Sequence, residues 1–466
     1  MSSEIGTVDR FFQITERGSD IQTEIRGGIV TFLAMFYILA VNPIILSSTS
    51  DIDFQQLVGA TALASGISCI LMALYARFPV ALAPGMGINA FVSYTVVSAM
   101  GFTYHQAMMI VLVSGVLFFA MSVTGMRSKI IQEIPRVIKV SMSVGIGFFI
   151  VCVGLFNCGI IVHGNGSALT LGDLGSPGVL LAFFCIILTV ALWYKHRWYA
   201  ILFGSLATVA VGLVGGQYFG WDTVVNGTSL IPGVGTSAVN EIATVPDLGL
   251  FGSVFTEFTM FDVPMIPAFV VSIVSLLIVD IFDTTGTLMS IGRSTGIMDD
   301  SNEGEISEKA LEVDAAATVI GAVAGTSTTT AFVESNTGIA AGARTGLMAL
   351  VVGLLFLLAM FFAPVFSVIT SACTIGALVI VGFMMFSSIK DVDSNDPVTM
   401  TTVFTTVIMM VLSGSITDGI AFGILIYIVG MAFTGRAREL SKMVVVLGAV
   451  FVAYFVLTFS VIPALS

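Results

Sequence analysis

The sequence predicts an all-α membrane protein that crosses the bilayer many times. Hydrophobic residues make up 56% of the 466 positions, and charged residues only 10%. A soluble globular chain has about 25% charged residues, and no soluble core is large enough to bury this much apolar surface. The net charge of -12 argues against nucleic acid as a partner, and five irregularly spaced cysteines within apolar runs predict neither disulfides nor a metal site.

The apolar residues form two sets of seven runs, each about as long as a membrane-spanning helix. A polar segment at about 218–262 separates the sets, and one further apolar run follows at about 443–463. The first set, spans one to seven, occupies about 27–47, 57–76, 80–100, 106–124, 137–156, 176–194 and 199–217. The second set, spans eight to fourteen, occupies about 264–291, 310–324, 325–343, 345–363, 367–388, 397–413 and 416–434.

The basic residues predict how these spans are oriented. If the N-terminus is cytoplasmic and each run crosses once, all 17 lysines and arginines fall on the cytoplasmic side. Segment 1–26 is therefore predicted to be cytoplasmic, and the 218–262 loop extracytoplasmic. The first apolar run is long enough to span, and no cleavable signal peptide is predicted. The C-terminal segment, 435–466, either crosses once more or re-enters the membrane.

An odd number of spans in each half places the halves, 27–217 and 263–434, in opposite orientations. This inverted-repeat arrangement is typical of transporters, whose sites lie at mid-membrane where interrupted helices meet. Spans three and ten occupy matching positions and are both interrupted, by PVALAPGMGINAF at 79–91 and by GTSTTTAFVESNTG at 325–338. Proline, glycine and threonine at these places favour extended backbone before a helix, which is tolerated only where it is buried or lines a cavity.

Three carboxylates are predicted to lie at membrane depth. Span eight carries Asp280 and Asp283, which are three residues apart and share one helix face. Glu334 lies on the interrupted span ten, and Asn89 lies at the matching place on span three. Because a carboxylate at mid-membrane costs roughly 2.5–3.5 kcal/mol by insertion scales, it usually marks an ion or substrate pathway.

These residue types suit a planar heterocycle with alternating ring N–H and carbonyl groups. Carboxylates accept hydrogen bonds from ring N–H groups, an asparagine amide both donates and accepts, and backbone N–H groups donate to carbonyl oxygens. Burial favours the neutral form of a carboxyl group and is expected to raise its pKa. A carboxyl group that is protonated outside and deprotonated inside would couple transport to protons.

Other polar residues have simpler interpretations. Glu312 and Asp314 are expected to face the cytoplasm or to cap the start of span nine. Asn42 and Pro43 are expected to mark the end of a helix in span one, and Asp418 an N-cap or first helical turn.

Four segments resemble the AzgA-like purine permeases, a branch of the nucleobase–cation symporter-2 (xanthine/uracil permease) family. They are 16–46, 79–91, 279–288 and 325–347. The resemblance implies fourteen spans in two inverted repeats, with a short strand in spans three and ten. It also implies a core domain, about 27–124 and 264–363, that moves in an elevator fashion against a gate domain, about 137–217 and 367–434. A homodimer through the gate domains and proton symport of hypoxanthine, guanine or adenine are implied as well.

The resemblance also implies roles for individual residues. The implied substrate-binding positions are Asn89, Ala90, Asp280, Val333 and Glu334. Of these, Asp280 and Glu334 would hold the purine, and the backbone of Ala90 and Val333 would lie close to its ring. Asp283 would be essential for transport or proton coupling, together with Asp280 and Glu334. No cofactor is implied, and short loops suggest a bacterial inner membrane.

Two other function classes are compatible with part of the pattern. An intramembrane aspartyl protease requires two membrane-embedded aspartates, but on facing helices and with one in a Gly-x-Gly-Asp context, whereas Asp280 and Asp283 share one helix. An anion transporter or channel of the same fold would favour arginine or bare N–H groups at its site. The carboxylates Asp280, Asp283 and Glu334 disfavour an anion.

Overall fold

The structure is a computed structural model of the chain, which describes residues 6–126, 133–162, 164, 169–195, 199–225, 228–233, 242–256, 266–295 and 308–456. Within the helix that carries the two aspartates, the side chains of residues 282–283, 285–286, 289–290 and 292–295 are outside the description.

The described chain is mainly helical. The helices of its first half are α1 (Thr7–Phe12), α2 (Ile21–Met35), α3 (Ile38–Ser47), α4 (Phe54–Leu71), α5 (Met86–Ala90), α6 (Tyr104–Val123), α7 (Arg136–Asn157), α8 (Pro177–Lys195) and α9 (Ala200–Phe219). Those of its second half are α10 (Ile266–Thr295), α11 (Glu308–Ala324), α12 (Ser335–Ala340), α13 (Gly346–Ala359), α14 (Ala363–Phe366), α15 (Ser371–Phe386), α16 (Pro397–Ser413), α17 (Ile416–Phe433) and α18 (Lys442–Val456). Two of them continue as π-helix, α4 over Met72–Ala76 and α5 over Phe91–Ala99.

Six short strands accompany these helices, as β1 (Leu82–Pro84), β2 (Ile161–Val162), β3 (Thr170–Leu171), β4 (Val224–Val225), β5 (Thr228–Ser229) and β6 (Thr329–Ala331). The second and third strands pair as one hairpin, and the fourth and fifth as another, in connections predicted to be extracytoplasmic. The first and sixth strands pair with each other across the two halves of the chain.

The helices agree with a multi-pass membrane protein. Within the described ranges, nine helical segments are long and apolar enough to cross a bilayer. Shorter apolar helices cover other predicted spans, including Met86–Ala99 in span three and Pro397–Ser413 in span thirteen. The all-α architecture with strands in spans three and ten is thereby confirmed, while the count of fourteen crossings and the orientation stay predictions.

Polar residues just before the helices determine where several of them begin. The Asp20 side chain accepts a hydrogen bond from the Thr23 backbone N–H at 3.0 Å and caps α2. The side-chain and backbone hydrogen bonds from Thr23 lower the pKa of Asp20. Thr103 and Gln106 form a reciprocal capping box at the start of α6. These caps satisfy backbone donors that a helix start otherwise leaves free.

The long helices pack as two bundles. In the first bundle, α2, α3, α4 and α6 from the first half pack with α10, α11 and α13 from the second. In the second bundle, α7, α8 and α9 pack with α15, α16 and α17. The C-terminal α18 lies against α17 and α10, so it contacts both bundles. The first bundle occupies the segments assigned by resemblance to a core domain, and the second those assigned to a gate; that functional division stays a prediction.

A buried glutamate joins the N-terminal span to the second half of the chain. The Glu24 carboxylate is fully buried and accepts hydrogen bonds from the backbone N–H groups of Arg344, at 2.7 Å, and Thr345, at 3.2 Å. Because Thr345 is the N-cap residue of α13, Glu24 completes the capping of a helix far away in sequence. The contact holds span one against span eleven within the first bundle.

Candidate substrate site

The two interrupted spans meet as a pair of antiparallel strands. Leu82 lies opposite Ala331, and Pro84 lies opposite Thr329. Two further backbone hydrogen bonds lengthen the pairing, from Phe332 N–H to the Ala81 carbonyl and from Gly85 N–H to the Thr328 carbonyl, each at 3.0 Å. Both strands are fully buried. Extended backbone can exist at this depth because each strand supplies the hydrogen bonds that the other needs.

A short helix follows each strand, as the sequence predicts. Gly85 has extended backbone and is followed at once by α5, while Phe332, Val333 and Glu334 separate the sixth strand from α12. The Ser335 side chain ties these parts together by accepting a hydrogen bond from the Ala81 backbone N–H at 3.0 Å. We call the paired backbone of residues 81–85 and 328–332 the strand crossing. The predicted site residues of spans three and ten follow its two strands.

Asn89 and Ala90 lie on α5 beside the strand crossing. Both are buried, and the Asn89 side-chain oxygen accepts a hydrogen bond from the Ser327 hydroxyl, two residues before the sixth strand. Within the described residues, the Asn89 side-chain nitrogen makes no hydrogen bond. This contact joins span three to span ten through side chains as well as backbone.

Glu334 and Val333 lie on the other side of the same crossing. The Glu334 carboxylate oxygen Oε1 accepts a hydrogen bond of 2.7 Å from the hydroxyl of Tyr37, a buried residue of span one. The Val333 side chain is 36% exposed. Sequence reasoning missed Tyr37, because an aromatic residue within an apolar run gives no polar signal.

Asp280 lies on α10 and is completely buried. Its oxygen Oδ2 accepts a hydrogen bond of 2.9 Å from the hydroxyl of Thr318 on α11. Asp283 lies in the same helix, three residues further on, and its side chain falls outside the described residues. The burial of Asp280 agrees with the sequence argument, since a carboxylate here has left water and needs donors from its neighbours.

A further carboxylate, Asp314, lies in the interior, which the sequence analysis did not predict. It was expected to face the cytoplasm or to cap span nine, and this interpretation is wrong. Asp314 is fully buried, and its Oδ1 accepts a hydrogen bond of 3.1 Å from the backbone N–H of Ala331 in the sixth strand. The missed signal is helical spacing. Thr318 lies four residues after Asp314 on the same helix face, and it is the residue that donates a hydrogen bond to Asp280.

The interpretation of Asn42 and Pro43 also needs correction. Both lie inside α3, and the break in span one comes earlier, at Phe36 and Tyr37 between α2 and α3. Asn42 is fully buried, and its side-chain nitrogen donates to the hydroxyls of Thr61, at 2.6 Å, and Thr326, at 2.9 Å. Span one therefore contacts the start of span ten through Asn42 and its middle through Tyr37.

Taken together, the strand crossing gathers polar groups from both halves of the chain. Asn89 and Glu334 lie on its two sides, and Asp314 holds the backbone of its sixth strand. Asp280 connects to this assembly through α11, which carries both Thr318 and Asp314. The site is rich in acceptors, with backbone and amide donors beside them, so it suits a neutral or cationic ligand with N–H groups better than an anion.

Known proteins resemble this chain over nearly its whole length. The Permease family model Xan_ur_permease matches residues 22–422. The guanine/hypoxanthine permease PbuG of Bacillus subtilis is 41% identical over 456 residues, which cover 96% of this chain and 99% of that protein. The adenine permease AdeQ of Escherichia coli is 36% identical over 459 residues, covering 98% of each.

Solved structures resemble the fold. The transmembrane domain of the cyanobacterial bicarbonate transporter BicA aligns with a TM-score of 0.60 at 15% identity, covering 85% of this chain and 97% of that one. The murine anion transporter Slc26a9, in an inward-facing state, aligns with a TM-score of 0.58 at 10% identity, covering 93% and 73%. At these identities the likeness shows a shared fold alone. The family match shows more: this chain is a membrane transporter, not an enzyme, and belongs to the xanthine/uracil permease (nucleobase–cation symporter-2) family.

Proposed function

We propose that the protein carries purine nucleobases, namely hypoxanthine, guanine or adenine, across a bacterial inner membrane by proton symport. The observation that supports this most strongly is the strand crossing, which pairs the two interrupted spans that carry Asn89 and Glu334 in opposite halves of the chain. The relatives named above are guanine/hypoxanthine and adenine permeases, which agrees with the same ligand class.

The proposed recognition uses the acceptors and donors around the crossing. The carboxylates of Asp280 and Glu334 accept hydrogen bonds from ring N–H groups, and the Asn89 side-chain nitrogen donates to a ring nitrogen or carbonyl oxygen. The backbone of Ala90 and Val333 lies close to the plane of the ring. A bicarbonate or other anion is disfavoured, because buried carboxylates repel negative charge strongly in a low dielectric.

The proposed coupling uses the same acids. Asp280, Glu334 and Asp283 are the groups to which we assign the transported proton, because a carboxyl group in a membrane-spanning segment can take up a proton while it is open to one side and release it while it is open to the other. The neutral form crosses the membrane at lower cost than the charged form.

The experiment that tests this proposal measures uptake of radiolabelled hypoxanthine in bacterial cells that lack their own purine permeases. Uptake is expected to be inhibited by unlabelled purines and not by uracil, and to collapse on adding a protonophore. Competition among adenine, guanine and xanthine then ranks the preferred purine. Absence of purine uptake contradicts the proposed function, and uptake that survives the protonophore and follows an imposed sodium gradient assigns a different coupling ion.

We also propose that the first bundle moves against the second, with the N-terminus in the cytoplasm and a homodimer formed through the second bundle. In support of the movement, α5 beside the site lies directly against α7 of the second bundle. At Gly87, an added Cβ atom would lie 2.6 Å from the Cγ2 atom of Ile146 on α7. Such a movement requires a contact surface between the bundles that has no steric obstruction.

Replacing Gly87 by alanine is therefore expected to lower the maximal uptake rate by about tenfold with a smaller change in KM. The extra methyl group would force Ile146 to shift at the place where the bundles meet, and overpacking commonly costs about 1–3 kcal/mol. The double variant Gly87→Ala, Ile146→Ala should recover most of the rate, because it removes the clashing atoms. A Gly87→Ala protein with an unchanged rate would show that this contact does not limit movement.

A further inference from the structure

We propose that Tyr37 is a positioning residue for substrate recognition, which fixes the Glu334 carboxylate and links it to the boundary between the two bundles. The inference deepens the proposed function, on which it rests, and it assigns a role to a residue of span one.

The pair has the geometry of a well-formed hydrogen bond. The Tyr37 hydroxyl lies 2.7 Å from Glu334 Oε1, within the commonest range of distances for an O–H···O hydrogen bond. The tyrosine is 4% exposed. A buried phenol has few rotamers once its ring is packed, so the position of its hydroxyl determines the plane of the carboxylate.

Fixing one carboxylate oxygen determines what the other oxygen can do. The tyrosine uses Oε1, and Oε2 then has a defined direction in which to accept a ring N–H from a base. A carboxylate that rotated freely would lose side-chain entropy on binding, so holding it beforehand lowers that cost. Tyr37 thereby raises affinity for the base without touching it.

The break in span one places the tyrosine where it can do this. The second helix ends at Met35 and the third begins at Ile38, so Phe36 and Tyr37 form the joint between them. A small cavity lies beside this joint, where the first bundle meets the second. Phe36 and Tyr37 line it from the first bundle, and Leu202, Ser205 and Leu206 line it from α9 of the second.

The tyrosine therefore contacts the recognition carboxylate at its hydroxyl and borders the second bundle along its ring. A movement of one bundle past the other changes the lining of that cavity and the environment of the ring. We infer that the orientation of Glu334 depends on the relative position of the bundles, through Tyr37.

Two other tyrosines provide matched controls. Tyr75 donates a hydrogen bond of 2.7 Å to Glu312, which repeats the tyrosine–glutamate pair at the exposed start of α11. Tyr104 is buried and donates a hydrogen bond of 2.8 Å to the Gly325 carbonyl. The first control matches the chemistry of the Tyr37 pair, and the second matches its burial.

The test measures KM and maximal rate of hypoxanthine uptake for Tyr37→Phe, Tyr75→Phe and Tyr104→Phe, with the amount of each protein in the membrane determined in parallel. Tyr37→Phe removes only the hydroxyl and is expected to raise KM about tenfold, which corresponds to about 1.4 kcal/mol. Its maximal rate per molecule should stay within about twofold. The two controls should change neither quantity by more than about twofold.

An unchanged KM in Tyr37→Phe would overturn the inference, and so would an equal rise in Tyr104→Phe, since that would indicate a general loss of packing. If Tyr37→Phe does not reach the membrane in amounts sufficient for uptake, its affinity for labelled hypoxanthine is measured on the purified protein in detergent: binding about tenfold weaker than in the parent supports the role, and unchanged affinity contradicts it. Failure of the parent protein to take up any purine would instead refute the proposed function, so the two failures are distinguishable.

Discussion

Purine uptake is expected to disappear when either Asp280 or Glu334 is replaced by alanine, while the protein still reaches the membrane. Asp280 is fully buried on α10, and Glu334 lies where span ten resumes its helix after the strand crossing. Each would supply acceptor oxygens to ring N–H groups of the base. A site built to hydrogen-bond such groups loses several orders of magnitude in transport when an acceptor is removed.

The matched control for Glu334→Ala is Glu312→Ala. Both glutamates accept a hydrogen bond of 2.7 Å from a tyrosine, but Glu312 does so in an exposed pair near the start of α11. The control should retain uptake within about twofold of the parent. Normal uptake by Asp280→Ala or by Glu334→Ala, at equal protein levels, would defeat the assignment of that residue to the site.

Replacing Asp314 by alanine is expected to reduce both stability and uptake. The carboxylate accepts the backbone N–H of Ala331, and its loss would leave a buried strand donor without this partner. Such an unsatisfied group costs about 1–3 kcal/mol. The strand that it holds leads into Glu334, so a displaced strand would move a recognition residue as well.

Asp314→Asn separates the two effects. An asparagine keeps an acceptor oxygen for Ala331 and removes the charge, so its melting temperature in detergent should stay closer to that of the parent than the alanine variant does. Hypoxanthine uptake then reports whether the charge itself matters for transport. If Asp314→Ala matches the parent in melting temperature and uptake, the hydrogen bond to the strand has no importance for the site.

The fold was largely predictable from local patterns. The matched interruptions at 79–91 and 325–338 predicted extended backbone before a helix, because proline cannot continue a helix and threonine favours extended backbone. The family resemblance implied that each interruption forms a short strand. The strands pair with each other, as their burial requires. The length and apolarity of the sequence runs predicted the membrane-spanning helices, because the thickness and the apolar interior of a bilayer determine both.

The contacts within the site were less predictable. Asp314 lies near the start of span nine, so position alone suggested water; its true partner depends on how α11 is rotated against the sixth strand. Tyr37 is one aromatic residue among many in apolar runs, and only the three-dimensional structure shows that its hydroxyl reaches Glu334. Such pairings depend on tertiary register, which no local pattern encodes.

The central claim is that Asp280, Glu334 and Asn89 form one binding place for a purine at the strand crossing. Equilibrium binding of labelled hypoxanthine to the purified protein in detergent tests this most directly, because it requires neither a proton gradient nor movement of the bundles. We expect saturable binding that unlabelled purines displace and that Asp280→Ala, Glu334→Ala and Asn89→Ala each weaken at least tenfold. Unchanged affinity in all three variants would contradict it.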